Sequence, residues 1–238
     1  MVFGVRSRHS GGNILHRQSA ADRSDHCSCH GDAMDRRLKG KPGENRIDGL
    51  PIDGAAPGRL RRSVVLVGMM GSGKTAVGRA LAARLNAPFL DSDTEIELAA
   101  HATIAEIFSR DGETFFRDRE AEVIGRLLSG PPAVISTGGG AFMADRNRHS
   151  IAANGVSLWL DANLDVLWER VRHKETRPLL RTANPRATLT DLYDQRVPVY
   201  QLASLHVRVE PGYSIEDTTD RAIEMLRERS DVLEPASD

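Results

Sequence analysis

An α/β domain built on a parallel sheet is the fold class this sequence predicts, and three observations predict it. Short continuous runs of β-branched and aliphatic residues recur, each too short for a helix and apolar on both faces, as buried parallel strands are. Segments with apolar residues at helical spacing separate those runs. The runs also stop at glycines or carboxylates, which suits strands that end at a ligand-facing edge.

The elements follow in order. Ser63–Val67 (SVVLV) is the first strand and runs into the glycine turn 68–73. A helix follows with Val77, Ala80, Leu81 and Leu85 on one side. Phe89-Leu90 leads to a second strand end at Asp91. Thr103-Ile104-Ala105-Glu106 has capping-box spacing and opens a short helix through Phe108. Glu113–Leu128 reads as a longer helix burying Phe116, Val123, Ile124 and Leu127. Ala133–Thr137 is a third strand, stopped by Gly138-Gly139-Gly140, and Val156–Leu160 a fourth, followed by a helix through Arg172. Residues 173–186 lack periodicity and read as a surface loop. Thr188 to about Leu202 is helical with an interruption at Pro198, Leu205–Val209 is a fifth strand, and Ser214–Arg229 closes the domain as a helix.

Composition divides the chain. The 238 residues carry a formal net charge of −1, but residues 1–62 hold 12 basic and 7 acidic residues, a net of +5. The remainder, with 20 basic and 26 acidic residues, has a net of −6. The first 62 residues contain one aromatic, Phe3, and isolated apolar residues, too little to offset ordering entropy, so they read as a disordered basic leader. Domain 63–238 follows, with a lid at about 173–186. Arg6, Arg8 and Arg17, with no acid before Asp22, leave a transit-peptide reading open beside a solvated extension, or sequence upstream of a start at Met34. His26-Cys27-Ser28-Cys29-His30 crowds four potential metal ligands, but structural zinc sites bring ligand pairs from separated segments, so chance clustering is preferred. No apolar run approaches a membrane span, two cysteines make no disulfide framework, and an acidic domain argues against nucleic acid. The expectation is a cytoplasmic protein with no membrane partner.

Gly68-Met69-Met70-Gly71-Ser72-Gly73-Lys74-Thr75 matches G-x-x-x-x-G-K-[ST], after a buried strand and before a helix. Such glycines let backbone N–H groups converge on phosphate, and the helix N-terminus adds its positive dipole end. Gly71, Ser72, Gly73, Lys74, Thr75 and Ala76 are the expected nucleotide contacts, with Lys74 at the β- and γ-phosphates and the Thr75 hydroxyl on Mg²⁺. No Asn-Lys-x-Asp guanine-reading motif follows, which disfavours a GTPase. Asp91-Ser92-Asp93 ends the second strand, and two carboxylates suit separate tasks, one near Mg²⁺ and one accepting a hydroxyl proton. A helix N-cap plus a surface acid is an equal alternative at this point. Arg117 and Glu120 share one helix face, as a substrate group with its support or as an ordinary surface ion pair.

Taken in order, GMMGSGKT, the DSD at 91–93, FFR at 115–117, TGGG at 137–140, RPLL at 177–180 and RVPVY at 196–200 closely resemble shikimate kinase, across residues 63–230. The resemblance implies a three-layer P-loop kinase fold: a five-stranded parallel sheet of order 2-3-1-4-5, helices on both faces, a lid and substrate-binding helices. It implies ATP-dependent phosphorylation of the 3-hydroxyl of shikimate, with ATP and Mg²⁺ required, in a monomer serving chorismate and aromatic amino-acid synthesis. By the same resemblance Asp93 orients or deprotonates the attacking hydroxyl, with Asp91 near Mg²⁺. Arg117 and Arg196 clamp the carboxylate and Glu120 holds Arg117. Gly138, Gly139 and Gly140 approach the ring, walled by Phe108 and Phe116. Arg177 closes the lid, joining Lys74 and Asp93 as catalytic residues, while Arg170 and Pro178 flank the adenine. The leader lies outside the family's usual core, and the third strand has Thr137-Gly138-Gly139 where many P-loop enzymes carry an aspartate, leaving more metal work to Asp91. A gluconate-type polyol kinase is disfavoured because Asp93, Arg117 and Arg196 match a cyclic hydroxy-acid pattern. A non-catalytic module should have lost one of them or Lys74.

Overall fold

The computed structural model describes residues 58–172, 180 and 182–235. Five strands form one parallel sheet: β2 (Ser63–Val67) at its centre, flanked by β4 (Val134–Ser136) and β5 (Gly155–Ala162), with β3 (Phe89–Asp91) and β6 (Leu205–Val209) at the edges. Counted over these five strands, the order β3-β4-β2-β5-β6 is the expected 2-3-1-4-5. Every residue of β2 is buried, as its unbroken apolar run requires of a strand covered on both faces.

Helices cover the sheet. They are α1 (Lys74–Arg84), α2 (Ser92–Ala100), α3 (Ile104–Leu128), α4 (Asp145–Asn154), α5 (Leu164–Val171), α6 (Pro185–Tyr200) and α7 (Ile215–Arg227). A short 3₁₀ turn, Ala141–Met143, precedes α4. Thr103 and Glu106 form the expected capping box, which satisfies two otherwise orphaned donors and is worth about 1 kcal/mol. The two helices expected around it are one continuous element broken by Gly112, whose φ of 83° and ψ of 175° kink α3 between its two parts. Val77 and Leu81 from α1, Leu85 at its C-cap, and Phe116, Val123, Ile124 and Leu127 from α3 are buried as expected, while Ala80 is half-buried.

Three boundaries differ. Gly58–Leu60 fell in the sequence-defined disordered leader; instead they form strand β1, antiparallel to β7 (Leu233–Pro235). The reason is non-local: Leu60 is buried and Arg61 donates to Glu234 at 2.8 Å, a partner near the far end of the chain. Asn184 caps α6 at Pro185, so the last two residues assigned to the lid are helical. The same helix runs through Pro198 without interruption, because this residue lies on the exposed face two positions from the end, where water can satisfy the freed carbonyl of Asp194. Leader residues 1–57 and lid residues 173–179 and 181 lie outside the described residues.

Register positions the site. Leu66 pairs with Ser136, and Ser136 with Asp91, so β2, β4 and β3 end level with one another. The segments that follow (68–73, 137–140 and 92–93) therefore emerge side by side at the carboxyl edge, where open parallel sheets bind ligands.

Candidate active site

The glycine turn 68–73 leaves β2 with Gly71 at φ 84° and Gly73 at φ 101°, conformations open to glycine and strained for other residues. Gly73 is also the N-cap of α1, with no side-chain cap and no acid in the first turn. The orphan N–H groups and positive dipole end of α1 are thus left facing the cleft, the arrangement that binds phosphate. Lys74 is buried and its Nζ donates to the carbonyls of Gly68 at 2.9 Å and Met69 at 3.0 Å. Arg170, from the last turn of α5, reaches back with Nη1 3.4 Å from the carbonyls of both Gly71 and Ser72. The Ser72 hydroxyl is buried without a partner.

Asp91 performs two tasks at once. Its Oδ1 accepts from the amide of Asp93 at 3.1 Å and caps α2, as the simpler sequence alternative held. Its Oδ2 accepts from the Thr75 hydroxyl at 3.2 Å, and the Ser136 hydroxyl lies 3.5 Å from the same Thr75 oxygen. The cap therefore aims a carboxylate at the mouth of the glycine turn. Asp93, two residues on, turns inward, and its Oδ1 is withdrawn from solvent with no hydrogen-bond partner. Burial pushes its carboxyl up to about 6, Asp91 and Glu120 push the same way, and Lys74 opposes them.

The second part of α3 carries Arg117 and Glu120 one turn apart. Arg117 Nη1 donates to Glu120 Oε2 at 2.9 Å, and Nη2 reaches Glu113 at 3.3 Å. Glu120 is 1 % exposed, so the pair is not a surface ion pair. Burial raises the Glu120 carboxyl, while Arg117, Arg146 and Arg196 pull it back. Glu120 Oε1, like Asp93 Oδ1, has no hydrogen-bond partner. Phe116 is buried beneath Arg117, whose guanidinium lies 5.2 Å from the ring centre, and Phe108 packs on Phe116 with centroids 4.6 Å apart.

Three consecutive glycines join these groups. A Cβ on Gly138 would stand 2.8 Å from Asp93 Oδ1 and 3.4 Å from Glu120 Oε1. On Gly139 it would stand 3.5 Å from Arg196 Nη1, and on Gly140 2.7 Å from both terminal nitrogens of Arg117. Each glycine thus faces a different member of the acidic and basic set, and a side chain on Gly138 or Gly140 would displace Asp93 or Arg117 from its place.

A cavity of about 770 Å³ gathers Gly71–Ala76, Asp91, Asp93, Gly138, Gly139 and Arg170 along one cleft. Arg117, Glu120, Gly140 and Arg196 form the adjoining cluster behind the glycines. Arg177 and Pro178 lie outside the described residues. Sequence reading missed the opposite wall, made by Tyr213, Ser214, Ile215 and Thr218 at the start of α7, and the hydroxyls of Ser136 and Thr137. Ser214 and Asp217 form a capping box with sequence-visible spacing, the one signal that marks a helix start here. Among the described residues no cluster of three or more His, Cys, Asp or Glu could hold a metal, and no helix is long and apolar enough to cross a membrane.

Comparison with known proteins places this cleft in a family. The family model for shikimate kinase matches residues 70–227. The chain is 64 % identical over 183 residues to the shikimate kinase of Ruegeria pomeroyi, covering 77 % of this chain and 93 % of that one. It is 60 % identical over 190 residues to that of Cereibacter sphaeroides, covering 80 % and 93 %. Among solved structures, shikimate kinase from Acinetobacter baumannii in complex with shikimate superposes with a TM-score of 0.63 at 38 % identity, over 70 % of this chain and 92 % of that one. With its sheet order, its glycine turn and this degree of identity, the chain belongs to the shikimate kinase family.

Proposed function

We propose that this chain transfers the γ-phosphoryl group of ATP to the 3-hydroxyl of shikimate, giving ADP and shikimate 3-phosphate on the route to chorismate and the aromatic amino acids. The observation that carries this reading is Asp93 Oδ1: a buried, unpartnered carboxylate oxygen set between a phosphate-binding turn and an Arg117–Glu120 cluster.

The backbone N–H groups of the glycine turn and the N-terminus of α1 hold the phosphates. Lys74, which already spans the turn, swings its ammonium from the carbonyls of Gly68 and Met69 to the transferring group. The Arg117 and Arg196 guanidiniums take the acceptor carboxylate, for which a planar fork is the better match. Glu120 keeps Arg117 aimed, and the bare backbone of Gly138–Gly140 lets the ring approach. Asp93 receives the proton of the attacking hydroxyl, and its raised basicity suits that transfer near neutral pH. Arg177 is assigned to close over the transferring phosphate and exclude water.

Mg²⁺ fits the donors present. Thr75 and Asp91, with Ser136 behind them, offer only hard oxygen ligands, and too few to enclose an ion without phosphate and water. Thr75 and Asp91 would hold it, and when bound it neutralises charge on the β- and γ-phosphate oxygens. One chain supplies every residue assigned a role, so the proposed catalysis needs no second subunit. A coupled ADP-release assay with shikimate, gluconate and quinate tests the reading. Turnover with shikimate alone is expected; preference for gluconate, or no acceptor-dependent ADP, overturns it.

A further inference from the structure

Tyr200 lies outside every role assigned above, yet it is fully buried and polar at its tip. Its ring packs between Phe142, centroids 6.5 Å apart, and Trp159, at 6.0 Å. The hydroxyl donates to the carbonyl of Gly139, tying α6 to the turn that leaves β4. Arg196, one helical turn earlier on the same face, lies close enough for its positive charge to pull the phenol's pKa down against the effect of burial. Arg196 Nη1 in turn lies 3.5 Å from the place where a Gly139 Cβ would stand. The phenol therefore anchors the Gly139 backbone beside a guanidinium, and both border the acceptor cluster. Burial holds this phenol neutral, pushed up to about 12, so it keeps its donor at every working pH.

We propose that Tyr200 is a positioning residue for acceptor binding: without touching the acceptor, its hydroxyl fixes Arg196 and the Gly139 backbone in the mutual geometry that a bound carboxylate requires. The inference rests on the reading of Arg196 as a carboxylate clamp. Tyr200→Phe preserves both aromatic contacts and removes only the hydroxyl, leaving the Gly139 carbonyl unpaired and the backbone beside Arg196 without its anchor.

The test is calorimetric titration of wild type, Tyr200→Phe and Leu189→Val with shikimate and separately with ATP, alongside thermal melts and steady-state rates. Leu189 is a fully buried residue towards the other end of α6, so its truncation costs packing without touching the Tyr200–Gly139 hydrogen bond. Tyr200→Phe is expected to weaken shikimate about tenfold, the worth of one such hydrogen bond, with ATP affinity and kcat within about threefold. Leu189→Val is expected to lower the melting temperature and leave shikimate affinity unchanged. An unchanged shikimate Kd in Tyr200→Phe overturns the proposal. So does an equal loss in Leu189→Val, or a Tyr200→Phe chain too unstable to purify, since the hydroxyl would then serve the fold. Failure of wild type to bind shikimate would overturn the clamp reading itself, a result distinct from a variant that binds normally.

Discussion

The two halves of the cleft are built on opposite plans. The proposed nucleotide half is contiguous: one strand end, one glycine turn and the first turn of α1, with recognition assigned to backbone N–H groups, a helix dipole and Lys74. The proposed acceptor half is dispersed, drawing Asp93 from α2, Arg117 and Glu120 from α3, Gly138–Gly140 from the end of β4 and Arg196 from α6. Its recognition is assigned to side chains whose charges oppose one another at short range. A backbone site tolerates any sequence that bends correctly, while a side-chain site depends on several elements docking in register. Disturbances in the acceptor half should therefore separate acceptor binding and transfer from ATP binding.

The largest effect is expected from Asp93→Asn. Loss of the base should reduce shikimate-dependent ADP formation by about 10²–10⁴, with ATP affinity unchanged by titration. Near-normal turnover would remove Asp93 from the proton-accepting role. The same variant should melt higher than wild type at neutral pH. The folded-state pKa of Asp93 is raised to about 6, so its ionisation disfavours the folded state as pH rises through that value, and an amide relieves the cost.

Arg117→Ala should weaken shikimate by about 10–100-fold and spare ATP, because it removes half of the clamp and leaves buried Glu120 without its partner. Loss of ATP affinity with shikimate binding intact would break the division between the halves. A pH profile sharpens it further. kcat/KM for shikimate should fall about tenfold per unit as pH drops below about 6, where free Asp93 takes up its proton, whereas nucleotide affinity should not follow that inflection.

The smallest effect is expected two residues along α3. Arg119 is exposed, pairs with Glu122 at 2.8 Å and lies over Phe115, on the side away from the cluster. Arg119→Ala should change shikimate affinity less than twofold and stability by under about 1 kcal/mol in a thermal melt. A loss comparable with Arg117→Ala would mean the acceptor half extends around the helix.

What could be read in advance followed the same division. The strand runs, the capping box at Thr103 and the glycine turn are local patterns, and the structure contains all of them. Helices α2 and α4 escaped because each buries little: Ser92 and Ile96 in one, Asn147 and Ile151 in the other, too few for a periodic signal. Strand β1 escaped because its partner lies at the opposite end of the described domain. In the site, Asp93, Arg117 and Arg196 were legible through family resemblance, since their spacing alone left ordinary capping and ion pairing open. Tyr213 and Thr218 carry no motif, and only packing brings them to the cleft; Tyr200 closes the RVPVY motif, but its bond to the Gly139 carbonyl is a matter of packing alone.

By itself the amino-acid sequence determined the alternation of strands and helices, the phosphate-binding turn and the types of charged residue available to an acceptor. Those are consequences of chemistry within a few residues. The tertiary structure decided which charges meet, that Glu120 is buried rather than solvated, that Asp93 is deprived of partners and so made more basic, and that three successive glycines face three different side chains. Desolvation and close approach are properties of neighbours distant in the chain, and they exist only once the sheet has brought its strand ends level.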